Sequence, residues 1–302
     1  MSFRSGFVAV VGRPNVGKSS LVNRLIGAKA AIISSRPQTT RKRIRAILTT
    51  ACFQAVFVDT PGVHRARNKL DEYMLDEIYY GIRDVDLVVF LVEAPAGYGS
   101  GDQFIFEKVE EADRSVILAV NKIDRVKPGK LQRILDDFQR QTGLPPLAVS
   151  AETGQGLNNL KEKIYQQLPE GPQFYPEDMY TDQLERDLIE ELVREQIFQL
   201  LYEEIPYGTA VQLEEMKERE EQDLYYLRTN IFVEHSSHKA IIIGKNGSML
   251  KKIGSRARKE IERMLGRKVY LDLWVKVRKN WRKDEQWLKR LGYKEKQKNQ
   301  SG

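Results

Sequence analysis

A doubly wound α/β domain with a mostly parallel sheet, followed by a smaller α+β domain, is the architecture the sequence predicts. Three observations predict it. Short apolar runs alternate with helical stretches over residues 1–168, prolines interrupt the chain at residues 169–176, and the order of elements changes beyond them. With 302 residues the chain has room for two domains of about 100–200 residues each.

The elements follow in order. Residues 7–11 are a continuous apolar run that leads into a glycine-containing loop, and residues 18–25 have helical character without a breaker. Further apolar runs at 56–58, 87–92, 115–120 and 147–149 are three to six residues long and rich in Val, Ile and Phe, which suits strands buried on both faces. Helical stretches are expected at 71–81, 102–112, 130–142 and 157–168. Residues 169–181 are expected to be a linker, with three prolines and a glycine by residue 176. Residues 182–302 form the second domain: a long helix at 182–204, strands near 209–213 and 224–233, two helices about a glycine turn, and a last strand at 269–277.

Composition narrows the class. A hydrophobic fraction of 41% and a charged fraction of 30% read as a soluble globular chain. The longest apolar stretch, residues 87–92, falls far short of the ~18 residues a membrane span needs. The N-terminus leads straight into a strand pattern and lacks the features of a secretory signal. The single cysteine, Cys52, suits a reducing compartment and is expected as a small buried residue of a strand at 52–57. The net charge of +7 favours anionic partners, and its distribution is uneven. Residues 182–222 carry 13 acidic and 4 basic side chains, which reads as a solvated face. Residues 239–263 carry 8 basic and 2 acidic, and residues 276–302 carry 10 basic and 3 acidic. Two basic blocks close together near the C-terminus are harder to read as a merely solvated face, though charge does not choose among anionic partners.

Gly12, Arg13, Pro14, Asn15, Val16, Gly17, Lys18 and Ser19 match GxxxxGK[ST] directly after a strand and before a helix. In that context the backbone N–H groups converge on phosphate, Lys18 reaches the β- and γ-phosphates, and the Ser19 hydroxyl can bind Mg²⁺. Asp59, Thr60, Pro61 and Gly62 follow the run at 56–58. A carboxylate there can hold Mg²⁺ through water, and the Gly62 N–H can meet the γ-phosphate. Asn121, Lys122 and Asp124 stand at the end of the run 115–120.

These motifs together resemble the translation-factor-class GTPases, and the resemblance implies GTP and GDP as ligands with Mg²⁺. By that resemblance Asp124 pairs with the N1–H and N2–H₂ of guanine, Lys122 covers the base, and the Ala151 N–H of Ser150–Ala151 meets guanine O6. The position of the usual water-orienting glutamine holds Val63, which resembles the subgroup with a hydrophobic residue there. Members of that subgroup position water by other means, some with K⁺ held by an asparagine that Asn15 matches. Asn15 is equally suited to stabilising a turn. Thr40, preferred over Thr39 within Pro37-Gln38-Thr39-Thr40-Arg41, is the expected switch threonine closing over Mg²⁺ and the γ-phosphate. The catalytic set is therefore Lys18, Thr40, Asn15 and Gly62, and the metal set Ser19, Thr40 and Asp59. His64 is read as an ordinary loop histidine.

In the second domain Gly244, Lys245, Asn246 and Gly247 form a GxxG turn after a hydrophobic run, with Lys251, Lys252, Arg256 and Lys259 recurring on the helix beyond it. That order resembles the type II KH domain, whose turn clamps the backbone of about four single-stranded nucleotides. His235 and His238 are read as surface residues. Trp274 is expected in the core beneath the last strand, while Trp281 and Trp287 in the basic tail either stack on bases or cover the domain, with packing preferred.

The combination resembles the Era-type family of bacterial GTPases with a C-terminal type II KH domain. The resemblance implies a monomeric GTP-hydrolysing switch that binds 16S rRNA near its 3′ end and assists maturation of the 30S subunit. It also implies a cytoplasmic location with peripheral association at the inner membrane. A GTPase acting on a different RNA, and an RNA-binding scaffold that holds GTP without turning it over, are the competing readings.

Overall fold

The computed structural model describes residues 2–28, 44–59, 69–70, 82–219 and 223–293. They divide into two compact units, with residues 2–28, 44–59 and 82–182 in the first and residues 69–70, 183–219 and 223–293 in the second.

The first unit is built on a six-stranded sheet. Strands β1 (Arg4–Val11), β2 (Ile44–Thr49), β3 (Phe53–Asp59), β4 (Leu87–Glu93), β5 (Ser115–Asn121) and β6 (Pro146–Ala148) lie in the order β2-β3-β1-β4-β5-β6. Only β2, at one edge, runs antiparallel to its neighbour. The helices α1 (Lys18–Ile26), α2 (Ser100–Glu110), α3 (Pro128–Thr142) and α4 (Leu157–Gln167) connect the strands. Side chains alternate across β1: Val8 and Val10 join the core on one face, and Ala9 and Val11 join the core on the other. This two-sided burial explains the unbroken apolar runs in the sequence. The expected helix at residues 71–81 lies outside the described residues.

Two expectations are corrected here. Sequence periodicity missed β2, whose residues lack the unbroken apolar run of a two-faced strand. Cys52 is exposed, in the turn between β2 and β3, where the Thr50 hydroxyl accepts the Phe53 N–H at 3.0 Å and fixes the turn. The strand starts one residue later, so the cysteine is not a core residue.

Residues 169–181, expected as a linker, are bonded along the first unit. Ser5 N–H donates to Pro169 O, Gly171 N–H to Phe3 O, and Ile47 N–H to Tyr180 O. Gln54 is fully buried, and its side-chain oxygen accepts the N–H groups of Phe174 and Tyr175 at 2.8 and 2.9 Å. Its amide nitrogen donates to Tyr175 O at 2.9 Å. Phe174 stacks on Phe7 with ring centroids 5.5 Å apart, and Arg45 pairs with Asp182 at 2.9 Å. Pro-rich composition signalled an irregular path here. It carried no information about the partner that satisfies the backbone.

The second unit contains α5 (Glu185–Leu200), β7 (Ala210–Arg219), β8 (Leu224–Val233), α6 (Ser236–Ile243), α7 (Ser248–Leu265), β9 (Lys268–Val277) and α8 (Glu285–Arg290). Strand β8 is central, antiparallel to β7 and parallel to β9. Helices α5, α6 and α7 contribute Val193, Ile197, Ile242, Ile253, Ala257 and Ile261 to one core with the sheet. The acidic stretch is less solvated than its charge suggests, since Arg194 and Glu195 of α5 are buried and Glu190 accepts the Leu213 N–H at 2.8 Å. Trp281 is buried and donates its indole N–H to Gly208 O at 3.0 Å. Trp274 is 53% exposed, against expectation, because its place in β9 points it away from the helices. His235 is exposed but His238 is largely covered beside Glu204, and no cluster of metal-ligating side chains occurs among the described residues. No helix among them is long and apolar enough to cross a membrane.

Candidate nucleotide site and nucleic-acid interface

The loop at residues 12–17 leaves the carboxyl end of β1 and opens α1, which is where ligands bind in open α/β sheets. Gly12 is dictated by crowding: a Cβ there would stand 2.2 Å from the Leu91 carbonyl oxygen of the neighbouring strand. The loop turns at Asn15, whose φ of 66° lies in the left-handed region that asparagine tolerates best among residues with side chains. Lys18 is 8% exposed, and its ammonium donates to Gly12 O and Arg13 O, both at 2.9 Å. These two bonds fold the side chain back over the loop, placing positive charge where the α1 N-terminus already favours an anion.

Three residues of the loop are tied to neighbouring elements. Arg13 donates through Nε to Asp102 Oδ1 at 2.7 Å. Asn15 O accepts from the Lys122 ammonium at 2.6 Å, and Val16 O accepts from Asn121 Nδ2 at 2.8 Å. Asn121 Oδ1 in turn accepts the Ala151 N–H at 2.9 Å. One buried side chain thus joins the phosphate loop to the loop at residues 150–156, and both of its polar ends are used. Asp124 Oδ1 accepts from the Ser150 hydroxyl at 2.6 Å, and the Ser150 oxygen accepts the Thr153 N–H at 3.0 Å. The structure therefore brings Gly12 to Ser19, Asn121, Lys122, Asp124, Ser150 and Ala151 together.

Asp59 ends β3 in register with Val10, one residue before the end of β1, so its backbone stands at the same edge of the sheet. Thr40, Thr60, Pro61 and Gly62 lie outside the described residues, as do Thr39, Val63 and His64. Ser19 follows Lys18 in the first turn of α1, and a hydroxyl there is the kind of hard oxygen donor Mg²⁺ prefers.

Sequence reasoning missed two carboxylates here. Glu93, the last residue of β4, pairs with the Lys122 ammonium and lies in register with Asn121. Asp102 is fully buried and holds both Arg13 and the N–H of Gly99, the residue that caps α2. Burial pushes the Asp102 carboxyl up, and the Gly99 and Arg13 bonds pull it down against that effect. A Cβ on Gly101 would come within 2.8 Å of Arg13 Cδ, so the small residue beside Asp102 gives the arginine its path. Glu93 stands one residue past an apolar run at a strand's carboxyl end, which was a usable signal. Asp102 had none, because its partner is distant in sequence.

In the second unit Gly244 ends α6 with φ 73° and ψ 173°, and a Cβ would sit 2.8 Å from Met249 N. Lys245 and Asn246 are exposed at the tip, and Gly247 caps α7. Lys251, Lys252, Arg256 and Lys259 are exposed on α7, opposite the Ile253, Ala257 and Ile261 face that packs on the sheet. The GxxG turn and the basic face are thus adjacent and accessible.

Residues 7–122 match the family model described as a 50S ribosome-binding GTPase, and residues 204–282 match that of the KH domain. The GTPase Era of Halothermothrix orenii is 52% identical over 294 residues, covering 97% of this chain and all of that one. The chain belongs to the GTPase Era family. Two solved Era structures align at 37% identity over 96% of this chain and 99% of theirs. One, a variant of Aquifex aeolicus Era bound to GDP and aluminium fluoride, has a TM-score of 0.93. The other, Era in complex with MgGDPNP and nucleotides 1506–1542 of 16S ribosomal RNA, has a TM-score of 0.94. This Era-family chain is accordingly a GTPase with a mostly parallel P-loop domain followed by a KH domain.

Proposed function

We propose that the chain is a GTP-driven switch whose KH domain grips 16S rRNA near its 3′ end during maturation of the 30S subunit. The observation that carries it is the bridging of the phosphate loop to the base-reading loops through Asn121, in one chain with an accessible GxxG turn. The rRNA assignment is supported by the Era relative that holds MgGDPNP and nucleotides 1506–1542 of 16S ribosomal RNA.

In this reading Asp124 accepts from guanine N1–H and N2–H₂, held in place by Ser150, and the Ala151 N–H meets O6. The stem of Lys122 covers the base while its ammonium stays tied to Glu93 and Asn15 O. Lys18, drawn over the loop by Gly12 O and Arg13 O, meets the β- and γ-phosphates together with the loop N–H groups. Mg²⁺, held by Ser19 and by Asp59 and Thr40, offsets phosphate charge when bound. Asn15 contributes a K⁺ ligand beside its place in the turn, and Gly62 and Thr40 complete the γ-phosphate contacts. The protein acts as a cytoplasmic monomer with peripheral contact at the inner membrane. These last assignments are supported by family resemblance.

Single-turnover hydrolysis in K⁺ and in Na⁺, with and without the 3′-terminal segment of 16S rRNA, tests the reading. Faster turnover in K⁺ that Asn15→Ala removes is the expected outcome. No turnover in any condition would favour a scaffold. Replacing Lys245 and Asn246 with aspartates should weaken RNA binding by roughly 10-fold or more through repulsion of the phosphate backbone, with GTP affinity unchanged. RNA titration by fluorescence anisotropy reads this directly, and retained RNA affinity would make the turn purely structural.

A further inference from the structure

The face of the second unit's sheet that points away from α5, α6 and α7 carries a cluster that neither GTP binding nor the GxxG turn uses. Strand register places Tyr226 beside Tyr270 and Lys217, and Arg228 beside Asp272 and Glu215. The Tyr226 and Tyr270 rings stack with centroids 5.8 Å apart and planes 15° from parallel. The Arg219 and Arg228 guanidinium groups lie 4.7 and 5.9 Å from the Tyr226 centroid, so two cations and two rings cluster across β7, β8 and β9. Tyr270 is 58% exposed at the β9 side of this cluster. Two positions along, Asp272 accepts from the Tyr226 hydroxyl and the Trp274 indole N–H, both at 2.9 Å, which fixes the orientation of the exposed Trp274 ring.

Coverage of the face is partial. At one end Phe232 meets Trp287 of α8 edge-on at 5.1 Å, and Gln212 donates to Arg290 O. Trp274 and Tyr270 remain exposed. Exposed aromatics held in fixed orientations, rather than buried under the tail helix, are a platform in search of a flat ligand.

We propose that this sheet face is a second single-stranded RNA contact, on which unpaired bases stack against Tyr270 and Trp274. Charge favours RNA: Lys217, Arg219, Arg228, Lys268 and Lys276 share the face with Glu215 and Asp272, and Glu214 beside the β7 bulge reaches Lys276 at 3.8 Å. Each carboxylate is already engaged, Glu214 with Lys276, Glu215 with Lys217 and Arg228, and Asp272 with its two donors. The exposed π-faces and the excess of cations suit bases and phosphates of any sequence. Large aliphatic side chains, which would suit a protein helix, are not among the face's strongly exposed residues. The path from the GxxG turn is short. Strand β9 returns antiparallel to α7, with Val269 N–H bonded to Glu262 and Leu273 beneath Gly254, so Trp274 lies on the half of β9 nearer the turn. A strand leaving the GxxG clamp over the β9 edge meets Trp274 before Tyr270, about 13 Å further along β9.

The inference rests on the RNA-binding reading, and the experiment separates the two. The full chain is titrated with RNA of nucleotides 1506–1542 and with an oligonucleotide of about five nucleotides that fills only the clamp. Tyr270→Thr and Trp274→Thr should each weaken the long RNA by roughly 5- to 100-fold, and leave the short one unchanged. Lys245 and Asn246 replaced by aspartates should weaken both. Unaltered thermal midpoints and GTP hydrolysis control for folding. Ultraviolet crosslinking of 4-thiouridine-substituted long RNA to the unaltered chain should label the peptide carrying Tyr270 or Trp274. Full affinity for the long RNA in the double variant, or crosslinks confined to the GxxG region, would overturn the second contact alone. Loss of binding to a ribosomal protein, with RNA affinity intact, would overturn it in favour of a protein partner. If the aspartate variant keeps both affinities, the clamp reading fails instead.

Discussion

Asp124→Asn is expected to move nucleotide preference from guanine to xanthine, with a change in the GTP to XTP affinity ratio on the order of 10⁴. A carboxylate offers two acceptors, which match two donors on the guanine edge. An amide offers one acceptor and one donor, which matches xanthine, whose C2 carries an oxygen. The size of the effect comes from burial: the wrong base leaves a desolvated polar group unpaired, and that costs more than the lost bond itself. The fold should tolerate the change, because the Ser150 hydroxyl can donate to an amide oxygen as it does to Asp124 Oδ1 at 2.6 Å. Competition binding of GTP and XTP to the purified variant reads the switch. Unchanged selectivity would remove Asp124 from the base-reading role and leave it as a support for residues 150–153.

Lys18→Ala should lower GTP affinity by at least about 100-fold and bring hydrolysis below detection, since hydrogen bonds to charged groups contribute ~1.5–3 kcal/mol each. The lysine also has a structural part, because its ammonium satisfies two carbonyls of the loop at 2.9 Å. Thermal unfolding distinguishes the two roles. Without nucleotide the variant should melt close to the parent. With saturating GTP the parent should gain stability according to ligand concentration over Kd, and the variant should gain almost none. A variant that still gains the full increment would show that the loop N–H groups and the helix end hold the phosphates alone.

The elements that sequence patterning revealed are those with a single physical requirement. Strands β1, β4 and β5 are buried on both faces, so their apolar runs announce them. The phosphate loop is announced by a crowding rule at Gly12, where a strand carbonyl excludes any side chain. Edge strand β2 has no such requirement and was missed. Trp274 was misplaced because an aromatic in a strand defaults to the core, whereas here the register turns it to the open side of the sheet. Asp102 and its partner Arg13 are far apart in sequence, and neither predicts the other. Asn121 stands in a motif legible in the sequence, yet only the fold shows that its two polar ends join Val16 to Ala151.

Gln54 and the strap of residues 169–182 bear on where the first unit can be cut. Strand β2 is the open border of the six-stranded sheet, and unpaired borders invite other strands. Ile47 N–H and Arg45 O are taken by Tyr180 and Thr181, so the strap closes part of that border. A fragment ending at Leu168, where the first unit's last helix stops, would strip the buried Gln54 of three hydrogen bonds and uncover an adhesive margin. A fragment carried through Asp182 keeps its own hem, and is the natural unit for solution work on the isolated GTPase domain.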